Sequence, residues 1–208
     1  MKTVLLPVKD FRNAKQRLAS ALDATTRTNL ARAMLADVLH AVAHWTVPDR
    51  VVVFTASSEV AQMAEEFGFD VAIEAAVNGH SAAVNLMVEK LSSNATQILS
   101  IAGDLPRLRP HEIDFVMNNA VEPITILPSR DGTGTNGILF LPPASIQMEY
   151  GEGSFSRHMS KASAAGHRIE VLNIPGIAFD IDTPEDLQAF VDNPRKDGQT
   201  WRYLMSLR

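Results

Sequence analysis

Four cations fall within nine residues in Lys9-Asp10-Phe11-Arg12-Asn13-Ala14-Lys15-Gln16-Arg17, directly after the apolar run Val4–Val8. A polyphosphate needs several cations to offset its charge, and arginine can grip phosphate oxygens in bidentate fashion. The segment matches neither the GxxxxGK[ST] phosphate loop nor the GxGxxG dinucleotide fingerprint. Charge alone also allows a solvated basic loop. Its place after the first strand is what favours an anion site.

Two acidic segments suggest a cation. Asp104 leaves an apolar strand in Ser100-Ile101-Ala102-Gly103-Asp104-Leu105-Pro106. Magnesium takes a few hard oxygen ligands when phosphates supply the rest. A turn or cap aspartate would read the same way. In Asp180-Ile181-Asp182-Thr183-Pro184, residues i and i+2 of an extended chain point to one face. The two carboxylates would repel unless a metal or a salt bridge relieved them. The alternative has Asp182 as a helix cap and Asp180 in an ion pair.

Two glycine-rich loops complete the set. Asp131-Gly132-Thr133-Gly134-Thr135-Asn136-Gly137 reads as an anion loop or a hairpin turn. Tyr150-Gly151-Glu152-Gly153-Ser154 leads into a helix, with Arg157 and His158 in its first turn. That helix start is an anion site or an ordinary cap. His40 and His44 sit four apart without HExxH, and His111 and His167 lack nameable partners. Absence of GxSxG leaves a hydrolase nucleophile unsupported.

The elements that must position these groups alternate between strand and helix. Strands are expected at Thr3–Val8, Val51–Thr55, Asp70–Glu74, Gln97–Ala102, Pro123–Leu127, Gly137–Leu141 and Arg168–Asn173. Helices are expected at Asp23–Trp45, from Ser57 to near Gly68, at Ser81–Leu91, from Pro110 to Ala120, at Ser154–Ala165 and from Thr183. Leu30, Met34, Val38 and Val42 recur every four residues on the first helix. Ile177–Ile181 reads as a short apolar segment. The pattern predicts an α/β fold: a mainly parallel sheet with helices on both faces and its ligands beyond the strand ends. The tail from about Asn193 reads as a loose extension or a contact between copies.

Composition narrows the classes. The 208 residues include no cysteine, which excludes zinc thiolates, iron–sulfur clusters and a cysteine nucleophile. A net charge of −5 argues against a nucleic-acid partner. That charge is unevenly spread: residues 1–32 hold seven basic and two acidic residues, and the other 176 hold 12 basic and 22 acidic. No run of 18 apolar residues suggests a membrane span, and Val4–Val8 is too short for a signal peptide. A cytoplasmic location is expected.

Taken in order, six segments resemble the guanylyltransferases that activate 2-phospho-L-lactate, or a related phosphorylated three-carbon acid, in coenzyme F-420 biosynthesis. They are Pro7-Val8-Lys9 with Ala14–Leu18; Arg27 with Ala33-Met34-Leu35 and Asp37-Val38-Leu39; Gly103–Pro106; Asp131–Asn136; Gly153-Ser154 with His158; and Asp180–Leu187. The likeness spans about residues 3–191. It implies a Rossmann-like nucleotidyltransferase fold of the GT-A, MobA-like kind, as one domain over residues 1–192 with 193–208 as a C-terminal extension. It implies transfer of GMP from GTP to 2-phospho-L-lactate, phosphoenolpyruvate or 3-phospho-D-glycerate, with release of pyrophosphate.

The implied roles put Asp104, Asp180 and Asp182 on Mg²⁺, and Lys9, Lys15, Arg17 and Gly103 on the GTP side. Asp104, Lys9 and Lys15 would be catalytic. Ser154 would hold the acceptor phosphate, with Thr135 and Gly151 near its carboxylate. GTP and a small phosphorylated acid are the expected partners, without membrane or nucleic acid, in a homodimer. Two departures stand out: the stretch Val77-Asn78-Gly79-His80-Ser81-Ala82-Ala83 lacks the family's usual Leu-Asn pair before the base-region helix, with the departure at His80-Ser81, and Tyr150 stands where phenylalanine is commoner. Another nucleotidyltransferase of this fold, with a sugar-phosphate or molybdopterin acceptor, and a non-catalytic GTP-binding module remain alternatives at this point.

Overall fold

The computed structural model describes residues 1–73 and 80–207. Seven strands form one sheet: β1 (Lys2–Pro7), β2 (Arg50–Thr55), β3 (Asp70–Ile73), β4 (Gln97–Ile101), β5 (Ile124–Pro128), β6 (Thr135–Phe140) and β7 (Ile169–Val171). The helices are α1 (Ala24–Ala43), α2 (Ser58–Glu66), α3 (His80–Ser92), α4 (Pro110–Asn119), α5 (Ser154–Ala164), α6 (Pro175–Ala178), α7 (Pro184–Asp192) and α8 (Gln199–Ser206). The strand order is β3-β2-β1-β4-β6-β5-β7. Four of the six pairings are parallel; β6 alone runs against its neighbours β4 and β5. The carboxyl ends of β1, β4 and β5 and the start of β6 therefore share one edge of the sheet.

Alternation along the strands feeds two cores. In β1, Val4 and Leu6 join the core under α1, while Leu5 joins the core on the opposite face. In β4, Leu99 and Ile101 face the first core and Ile98 the second. The four-residue recurrence in α1 is realised as a stripe: Leu30, Met34, Val38 and Val42 are wholly buried. Asp23 starts that helix by accepting from the Thr26 N–H at 2.7 Å.

Three segments take a more definite form than the sequence expectation. Pro175 begins a four-residue helix at Pro175–Ala178, inside which the apolar segment from Ile177 starts. The first glycine-rich loop is the turn of the β5–β6 hairpin. Asp131 organises it, accepting from Ser129 Oγ at 2.6 Å, Thr133 Oγ1 at 2.7 Å and the Thr133 N–H at 3.0 Å. These donors hold the Asp131 carboxyl at about 2, so it is a fixed turn anion. The tail ends in α8, fastened to α1 rather than loose. Buried Asp37 accepts from the Gln199 and Thr200 N–H groups at 2.6 and 2.9 Å. Among the described residues no helix is long and apolar enough to cross a membrane.

Candidate active site

A cleft of about 930 Å³ opens at the shared strand edge. Lys9, Lys15, Arg17, Gly103, Asp104, Thr135, Gly151, Ser154, Asp180 and Asp182 all line it. These residues span 174 positions of sequence, and the strand order is what gathers them. The base-region residues Val77, Asn78 and Gly79 lie outside the described residues.

The loop after β1 sorts its four cations. Arg12 turns back on Asp10, donating from Nη2 to Oδ2 at 2.7 Å. Lys9 and Arg17 are exposed along the cleft. Lys15 points inward from a left-handed backbone at φ 54°, ψ 43°, which a residue with a Cβ adopts at some cost. Its Nζ donates to Asp104 Oδ2 at 2.5 Å and to Asp182 Oδ1 at 2.7 Å. Burial alone would lower the Lys15 pKa; the two carboxylates outweigh it and hold the ammonium charged well above its ordinary range. Arg27 and Arg32 serve the scaffold: Arg27 Nη1 donates to Leu22 O at 2.7 Å, and Arg32 pairs with Glu59.

The acidic residues converge as their spacing suggested. Ile181 is buried between Asp180 and Asp182, so both carboxylates face the cleft side. Burial, with Asp104 and Asp182 nearby, pushes the Asp180 pKa up to about 6. Asn136 steadies Asp180, donating from Nδ2 to Oδ1 at 3.3 Å and to Ile177 O at 2.9 Å. Asp186 fixes the neighbouring backbone by accepting from the Asp182 and Thr183 N–H groups at 3.2 and 3.0 Å. Thr183 caps α7 in return, accepting from the Asp186 N–H at 3.2 Å. Gly103 sets the approach of Asp104: a Cβ there would lie 2.9 Å from Val8 Cγ2 and 3.3 Å from Leu35 Cδ1.

These donors suit a hard divalent cation. They are carboxylate oxygens, and two already converge on one positive centre, the Lys15 ammonium. Among the described residues no three His, Cys, Asp or Glu side chains are already grouped as a metal cage. The Lys15 ammonium lies between the Asp104 and Asp182 carboxylates.

A second wall carries Thr135, Gly151 and Ser154, with the carboxylates of Asp131 and Glu152 at its margin. Ser154 begins α5, and its Oγ accepts from the Thr135 N–H at 3.0 Å. The helix start is a weaker amide site than its sequence suggested, because the Ser154 N–H donates to Gly151 O and the Phe155 N–H to Thr133 O. Gly151 takes φ 114°, a conformation that favours glycine. His158 is wholly buried, with Nδ1 2.9 Å from Thr135 Oγ1 and Nε2 accepting from the Glu149 N–H at 2.9 Å. Arg157 turns away to Glu152 O and Glu149 O. Sequence reasoning assigned no role to Asn136 or Asp186. Their signal was only their place inside motifs, since their partners lie on other elements.

A basic loop after β1, an aspartate after β4 and an acidic pair before α7, all at one edge of a mixed sheet covered on both faces, define a nucleotidyltransferase. The solved structure of a protein described as a nucleotide-diphospho-sugar transferase from Desulfovibrio desulfuricans G20 shares this architecture, with a TM-score of 0.79 over 99% of this chain and 95% of that one at 15% identity. The family model described as "Guanylyl transferase CofC like" matches residues 1–208, and the chain belongs to that family. A phosphoenolpyruvate guanylyltransferase of Conexibacter woesei is 39% identical over 189 residues, covering 89% of this chain and 85% of that protein. A 2-phospho-L-lactate guanylyltransferase of Methanothermobacter thermautotrophicus is 28% identical over 188 residues, covering 90% and 83%.

Proposed function

We propose that this chain transfers GMP from GTP to a phosphorylated three-carbon acid and releases pyrophosphate, a step of coenzyme F-420 biosynthesis carried out in the cytoplasm. The observation that carries the reading is the convergence of Lys15 with Asp104 and Asp182 at 2.5 and 2.7 Å, flanked by exposed Lys9 and Arg17. Family membership supports guanine as the base. Of the acceptors 2-phospho-L-lactate, phosphoenolpyruvate and 3-phospho-D-glycerate, phosphoenolpyruvate is the first to test, given the Conexibacter relative.

An oxygen of the acceptor phosphate attacks the α-phosphorus of GTP in line. One phosphorus–oxygen bond forms, the bond to the β-phosphate bridging oxygen breaks, and pyrophosphate leaves with that electron pair. A phosphate near pH 7 is already ionised, so no general base is needed, and positioning with charge neutralisation supplies most of the catalysis. Lys9 and Arg17 draw the triphosphate into the cleft, with Gly103 leaving room beside them. Lys15 passes from its carboxylates to a phosphate as the nucleotide binds. Asp104, Asp180 and Asp182 would hold Mg²⁺, which when bound would supply positive charge to offset that of the phosphates. Ser154 donates to the acceptor phosphate, and Thr135 and Gly151 sit near its carboxylate.

The test is pyrophosphate release with GTP or ATP against each of the three acids. GTP-dependent release with at least one is expected. Magnesium-dependent GTP binding without release would instead mark a non-catalytic module, and release only with a sugar phosphate or pterin would move the chain's acceptor elsewhere.

A further inference from the structure

The wall formed by Thr135 and Ser154 contains a chain of hydrogen bonds whose direction is set from one end. The Glu149 N–H can only donate, and it lies 2.9 Å from His158 Nε2. Nε2 is therefore the bare nitrogen, and the ring proton sits on Nδ1. Nδ1 then donates to Thr135 Oγ1 across 2.9 Å. With Oγ1 accepting that bond, the Thr135 hydroxyl hydrogen is left to donate elsewhere. One residue further on, the Thr135 N–H donates to Ser154 Oγ at 3.0 Å, so Ser154 is likewise an acceptor within the wall and keeps its O–H to give. Thr135 and Ser154 are nearly buried, yet both line the cleft. Among the described residues neither hydroxyl hydrogen has a protein acceptor.

We propose that His158 is a positioning residue that fixes the polarity of this wall, so that Thr135 and Ser154 both present O–H donors to a ligand group made only of acceptors. Phosphate and carboxylate oxygens are such groups. Naming that ligand the phosphorylated acid rests on the guanylyltransferase reading above. The hydrogen-bond direction does not, because it follows from the Glu149 amide. The imidazole must also stay neutral. Burial, reinforced by the charges of Lys161 and Arg157 and opposed by Glu149, holds the His158 pKa down to about 4. Were the ring charged, Nε2–H would point at the Glu149 N–H, and that end of the chain would break.

Two readouts test this. The first is the ¹⁵N signature of the His158 ring in the whole protein without ligand. The Nδ1–H tautomer is expected near neutral pH, and an Nε2–H or a doubly protonated ring overturns the proposal whatever the enzyme's activity. The second is kinetic. His158→Ala should raise the acceptor KM about tenfold while the GTP KM stays within about twofold. His158→Asn, whose amide can donate near the Nδ1 position, should recover much of that loss. Thr135→Val keeps the strand shape, removes the hydroxyl and should reproduce the His158→Ala effect even where the His158 variants fold poorly. An unchanged acceptor KM in Thr135→Val, or a GTP KM rising in step with it, contradicts the proposal. Absence of pyrophosphate release by the wild-type protein with every acceptor defeats the guanylyltransferase reading and leaves the tautomer measurement to decide the polarity.

Discussion

The two walls of the cleft are prepared in opposite ways. On the acidic wall, Asp104 and Asp182 pair with one lysine, and burial with the two neighbouring carboxylates pushes the Asp180 pKa up to about 6. On the hydroxyl wall, the contacts among Glu149, His158, Thr135 and Ser154 are already made. The first wall holds its charges in excess until ligands arrive. The second has settled these hydrogen bonds in advance and still has two hydroxyl hydrogens to offer. Phosphoryl transfer between two anions needs both: charge that can be redistributed, and a rigid surface that fixes the attacking group.

Variants that unbalance one wall should leave the other intact. The largest effect is expected for Asp104→Asn. Turnover should fall at least about 100-fold, or about 2.7 kcal/mol of transition-state stabilisation, with an unchanged circular dichroism spectrum. Near wild-type kinetics would remove Asp104 from the cation site.

Lys15→Met comes next. Breaking a fully buried pair costs about 3–5 kcal/mol, but the Asp104 and Asp182 side chains keep 35% and 42% exposure, so a loss of about 1–2 kcal/mol is expected. The Tm should drop by roughly 3–6 °C without divalent metal. Mn²⁺ should then restore more of the variant's Tm than it adds to the wild type, because metal and ammonium compete for the same carboxylates. An equal Mn²⁺ response in both proteins would contradict that competition.

Ser154→Ala should act on the hydroxyl wall alone, raising the acceptor KM about tenfold, or about 1.4 kcal/mol, with little change for GTP. A rise in the GTP KM instead would place Ser154 on the wrong substrate.

Asp180→Asn should have the smallest effect on metal-free stability, and its size depends on pH. An acid whose folded pKa is raised to about 6 binds more protons when folded, so wild-type stability falls as pH climbs from near 4 towards 6. The variant escapes that loss. Without metal its Tm should exceed wild type by roughly 3 °C at pH 8, and the gain should vanish near pH 4. A pH-independent difference would mean that Asp180 is not the strained member of the acidic wall.

Much of this was legible in the chain itself, for a physical reason. Charged residues that directly follow apolar strands declare their position, so Lys9 and Asp104 could be placed before any topology was known, and the i, i+2 spacing put Asp180 and Asp182 on one face. The period-four stripe from Leu30 to Val42 likewise fixed the buried face of α1. The sequence does not distinguish Lys15 from Lys9 and Arg17. A left-handed backbone at Lys15 sends one cation inward, while the other two remain on the rim. Nor could it foresee that Asp37 would cap α8, 162 residues away, or that Asn136 would hold Asp180, 44 residues away. Such bonds depend on which strands become neighbours, and β6 reaches the site only because it inserts antiparallel between β4 and β5. His158 shows the limit most clearly: its place in a helix's first turn suggested an anion contact, whereas burial makes it a neutral bridge.

The most direct test of the account is pyrophosphate release by the intact protein with Mg²⁺, GTP and each of phosphoenolpyruvate, 2-phospho-L-lactate and 3-phospho-D-glycerate. The account predicts GTP-dependent release with at least one of these acids and none without an acceptor. No release with any of the three, from protein that binds GTP and Mg²⁺, would contradict it.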